Sequence, residues 1–71
     1  MNERTKTIGK FLIESNNFLE KIKNNSNSEE NLTIMRIIEG YKIIFGLFAG
    51  NNTDEKYQQL NKITNTINNN Q

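Results

Sequence analysis

Cysteine, histidine and proline are all missing from this 71-residue chain, and each absence closes something off. Without cysteine there is neither a disulfide framework nor a thiolate metal site. Without histidine the commonest metal ligand and the commonest general base are gone. Serines are present, but no imidazole can activate them for acyl transfer. No cofactor or metal is expected, and the chain reads as a non-enzyme. Charge of either sign is not in excess: nine lysines and arginines stand against eight acids, a net charge of +1. Proteins that draw their affinity from phosphate neutralisation carry a marked basic surplus. Nucleic acid is therefore disfavoured as a partner.

Long apolar runs are missing too. The longest, Ile43 to Ala49, is interrupted by Gly46 and falls far short of the ~20 residues of a membrane span. The opening residues MNERTKTIGK lack the apolar core of a signal peptide, so a cytoplasmic location is expected. Three Asn-X-Ser/Thr triplets occur, but 14 asparagines produce such triplets by chance. That asparagine content, with isoleucine and lysine preferred over valine and arginine, is the mark of an AT-rich genome. It is dispersed except at the tail and does not read as a prion-like tract.

What is present is helical periodicity. Ile8, Phe11, Leu12, Ser15, Phe18, Leu19 and Ile22 recur at steps of three and four, the apolar stripe of an amphipathic helix over about 4–24. The stretch Asn24–Ser28 breaks the pattern, because Asn and Ser side chains bond their own backbone in turns and caps. Ser26 with Glu29, or Ser28, then caps a second helix over about 29–49. Its stripe, Ile34, Ile37, Ile38, Tyr41, Ile44, Phe45 and Phe48, repeats the first in register, and Leu32, Met35, Ile43 and Leu47 add a second apolar row. A helix apolar on two sides must be covered on two sides, so this helix is expected to be central, with Ile38, Phe45 and Phe48 in the core beside Phe11 and Phe18. Gly40 and Gly46 inside it either allow a close backbone approach or are simply tolerated. Gly50 is a natural helix stop. Asn52 or Thr53 can cap a third helix over about 54–67, whose thinner stripe is Tyr57, Leu60, Ile63 or Thr64, and Ile67. Residues 68–71 should fray. The chain is one all-α domain, 1–71. An antiparallel helical hairpin plus a shorter third helix is expected, either as a three-helix bundle or as a dimer with a four-helix core.

Every acid falls at a cap, on an exposed helical face or within reach of a lysine, as in the pairs Lys10–Glu14 and Glu39–Lys42. Glu39 lies along the second row between Met35 and Ile43. There it either pairs with Arg36 or Lys42 at the surface, or fixes register at a helix–helix seam. Arg36, Lys42 and Tyr41 could instead form a small pocket for an anionic ligand between subunits. Ile13 sits off the first stripe and is either exposed or covered by a partner.

A domain this small has trouble burying enough apolar surface alone. With disulfides and thiolate metals excluded, association with another chain is the remaining aid. The second row, Ile43 and Leu47 in particular, or the Ile13 edge, then needs a lid, which identical chains supply through a two-fold axis. The expected function is that of a helical interaction protein, a homo-oligomer with a dimer favoured, that binds or inhibits another macromolecule, with a protein as the expected partner. Such a role suits a phage or mobile-element accessory protein. The alternative is a small-ligand binder that sequesters an anionic metabolite or nucleotide at a subunit interface.

Overall fold

The computed structural model describes residues 2–24 and 30–70. Three helices follow one another: α1 (Glu3–Ile22), α2 (Asn31–Phe48) and α3 (Asp54–Asn69), with no strand among the described residues. Their bounds lie close to those expected, and α3 runs on to Asn69. The proposed capping serines Ser26 and Ser28, and Gln71 of the expected frayed tail, lie outside the described residues.

Local chemistry accounts for the ends. The Asn2 side chain accepts a hydrogen bond from the Thr5 amide at 2.8 Å and caps α1. Thr53, one of the two expected caps of α3, accepts from the Lys56 amide at 3.4 Å, with Asp54 and Glu55 in the first turn facing the positive end of the helix dipole. At the end of α2, Gly50 adopts φ +114 and the Asn51 amide donates to the Gly46 carbonyl at 2.9 Å. This is a Schellman closure, which needs a residue at ease with positive φ.

Two contacts set the direction of the helices. Near the start of α1, Arg4 reaches Asn52 and Asp54 at 2.7 and 2.8 Å. Near its end, Lys21 donates to the Asn70 carbonyl at 3.0 Å. Helices α1 and α3 therefore lie side by side and parallel, and α2 returns antiparallel to both, in a body of 36 × 21 × 16 Å. The expected α1–α2 hairpin is present in direction but is not the main contact. Packing is closest between α1 and α3, next between α2 and α3, and slightest between α1 and α2. The central element is thus α3, not α2. Its stripe is thin but unbroken, and Leu60, Ile63, Thr64 and Ile67 are all buried.

The core joins Phe11, Phe18 and Ile22 of α1 to Ile37 and Ile44 of α2 and to the α3 stripe. Leu47 is buried as well. Phe11 is fully enclosed, and a Cβ added to Gly40 would overlap its ring. Gly40 is therefore a socket for Phe11, the close approach that its place inside a helix had suggested. Gly46 has open space around it. Three polar side chains are buried in the bundle: Ser15, Thr33 and Thr64. The Thr64 hydroxyl donates to the Leu60 carbonyl at 2.8 Å, whereas Ser15 Oγ has no hydrogen-bond partner.

Helix α2 is oriented differently from expectation. Its buried face is Thr33, Ile37, Gly40, Ile44 and Leu47. Ile38 and Phe45, expected in the core, are 50% and 72% exposed. The cause is steric. Phe11 needs a neighbour without a Cβ, so the Gly40 side of α2 turns inward and the aromatic side turns out.

Candidate interaction surface on α2

The outward side of α2 carries Leu32, Met35, Ile38, Phe45 and Phe48, each between 50% and 78% exposed. Half-buried Ile34 and Tyr41 join it at the edge. Ile34, Ile38, Tyr41, Phe45 and Phe48 succeed one another at steps of four, three, four and three, the alternation of a coiled-coil seam. Isolated exposed aliphatics are ordinary on a protein surface, but Met35, Ile38, Phe45 and Phe48 gathered on the outward side of one helix exceed scattered exposure.

Charge borders this face on one side. Arg36 Nη1 and Glu39 Oε2 pair at 3.0 Å, and both side chains are about half exposed. Together with Lys42, Leu32, Met35 and Ile38 they line a shallow depression of about 360 Å³. Among the expected site residues, Arg36, Glu39 and Lys42 are thus brought together. Tyr41 is turned from them, its ring edge-on to Phe11 with centroids 5.3 Å apart. Beside the depression stands a self-neutralising ion pair, not a converging set of cations.

The second apolar row does not face outward as a unit. Leu32 and Met35 do, but Leu47 is only 4% exposed, and Ile43 packs against the core. The row drifts by about a third of a turn between Met35 and Leu47, because residues four apart at 3.6 per turn advance about 40° at each step. Ile13 is 61% exposed, on the side of α1 opposite its buried stripe and apart from the α2 patch. Ile38, Phe45 and Phe48 are the surface residues that the sequence reading placed in the core. The signal that could have found them is Thr33 and Gly40, which share the buried face with Ile37 and Ile44 although neither is a large apolar residue.

A second hollow, about 260 Å³, lies between the starts of α1 and α3, lined by Glu3, Arg4, Thr7, Asp54, Tyr57, Gln58 and Asn61. Its cation is already spoken for. The Arg4 guanidinium bonds Asn52 and Asp54 and lies 5.0 Å above the centre of the Tyr57 ring. It acts as a clamp between the helices. No helix is long and apolar enough to cross a membrane, and no group of three or more acidic side chains that could hold a metal occurs among the described residues. No family model, curated protein or solved structure matches this chain.

Proposed function

We propose that this protein is a non-enzymatic helical interaction protein whose working surface is the outer face of α2, and that it binds or blocks another protein chain through that face. The observation that carries this reading is the exposure of Phe45 and Phe48, at 72% and 78%, beside Met35 and Ile38 on one helix. Aromatic anchors within an apolar strip are what helix-in-groove and helix-on-helix docking use. The Arg36–Glu39 pair and Lys42 supply the polar rim that such interfaces carry.

A photo-crosslinking amino acid placed at position 45 tests the reading, with one at Asn65, exposed on α3, as control. Irradiation in cells should give a discrete protein adduct from position 45 and none from position 65. The adduct should vanish when Ile38→Ser is added while the helical signal stays intact. Equal labelling from both positions, or none from position 45, would overturn it.

A further inference from the structure

We infer that the chain docked on the outer face of α2 is a second copy of this protein, with the two α2 helices antiparallel about a two-fold axis passing close to Gly40 and Tyr41. This rests on the reading of that face as a docking surface and names its occupant.

Area comes first. A large aromatic side chain can bury about 150–250 Å², so two exposed phenylalanines with Leu32, Met35 and Ile38 offer roughly 600 Å² on each chain. A standard interface buries about 800 Å² per partner. One helix face against its copy, with the charged rim included, reaches that range without help from α1 or α3.

Charge then selects the arrangement. Relative to the seam Ile34, Ile38, Tyr41, Phe45 and Phe48, Glu39 and Lys42 lie on the same flank, three residues apart. In an antiparallel pair related by a two-fold, the same flanks of the two helices meet. An axis midway between residues 40 and 41 therefore sets Glu39 of each chain opposite Lys42 of the other, twice. The same register lays Phe45 against Met35 and Ile38 of the second copy, and Phe48 against its Ile34, so the apolar matches and the charge matches agree. A parallel pairing sets each residue level with its own copy, and neither charge then meets its opposite. Self-complementarity about one axis is what an isologous interface requires. Glu39 thereby gains a role that Arg36 alone does not explain: it bridges its own helix at 3.0 Å and fixes the register with the other.

The absence of cysteine makes the test clean. Sedimentation equilibrium should find a dimer at tens of micromolar, the range in which a modest interface populates. Phe45→Ser should weaken it by about thirtyfold or more, as loss of a central anchor does. Glu39→Lys and Lys42→Glu should each weaken it by about tenfold, and the double reversal E39K/K42E should restore it. Circular dichroism on every variant separates lost assembly from lost fold. Finally, E39C chains mixed with K42C chains should oxidise to the mixed disulfide in preference to either homodisulfide. A monomer throughout this range overturns the second copy as occupant, whereas the photo-crosslink from position 45 judges the docking face independently. A dimer indifferent to Phe45→Ser and to both reversals, or one forming homodisulfides, overturns the antiparallel α2 pairing.

Discussion

The two sides of α2 invert the usual relation between apolarity and burial. The inward side holds a threonine and a glycine among its five buried residues, Thr33, Ile37, Gly40, Ile44 and Leu47. The outward side holds two phenylalanines, a methionine, a leucine and an isoleucine, all at least half exposed. Shape decides which side goes in. The inward side offers a hollow at Gly40 into which Phe11 fits, and close packing rewards that fit more than it rewards extra apolar area on a face with nothing to meet. The comparison teaches that hydrophobic content alone does not orient a helix whose every side is apolar. The surplus on the outer side is what gives α2 a role beyond holding the bundle together.

Substitutions matched across the two sides should separate them. Ile37→Ala empties part of the core and should cost about 2–4 kcal/mol in a denaturant titration. A cost under about 1 kcal/mol would mean the inward side has been misassigned. Gly40→Ala is next, at about 1–3 kcal/mol, since the added methyl overlaps the Phe11 ring and the core must shift. Combining it with Phe11→Leu should recover part of that loss, and strictly additive losses would deny the socket. Ser15→Ala should raise stability by about 1 kcal/mol, because it removes a buried hydroxyl that has no partner. A fall in melting temperature would reveal a hydrogen bond at that hydroxyl. On the outward side, Phe45→Ala should change the stability of dilute, monomeric chain by less than about 0.5 kcal/mol, as for other exposed positions. A loss as large as that of Ile37→Ala would erase the distinction between the two sides.

Much of this architecture was legible in the sequence. Steps of three and four located all three helices, and Gly50 and Thr53 marked the turn between α2 and α3 for reasons of backbone geometry that hold anywhere. The stripe Leu60, Ile63, Thr64 and Ile67 also went where its spacing said. The orientation of α2 was not legible, because apolar residues occur all around it and periodicity cannot choose among several apolar rows. Only the tertiary partner of Gly40, Phe11, 29 positions away in sequence, makes the choice. The pairing of α1 with α3 was hidden for a related reason. Arg4 and Asp54 carry no local pattern that announces them as partners, and short loops favour the guess that sequence neighbours pack best. For the candidate surface, Arg36, Glu39 and Lys42 were found together from spacing, whereas Phe45 and Phe48 were mistaken for core by the same logic that misplaced the helix.

The parallel alignment of α1 with α3 also bears on the order in which the chain assembles. The contacts that zip these two helices join residues 48 to 50 positions apart. Closing so long a loop must precede any reward from those contacts, and topologies dominated by distant pairs fold more slowly than ones built from neighbours. The α2–α3 turn, by contrast, spans only a few residues and carries its own stop and start signals in Gly50 and Thr53. The C-terminal hairpin can therefore form early. On that order of events α1 docks last, and until Phe11 reaches Gly40 the α2–α3 hairpin carries an unfilled socket on the inward side of α2. The arrival of α1 is then the step that fills this socket and commits α2 to one inside and one outside.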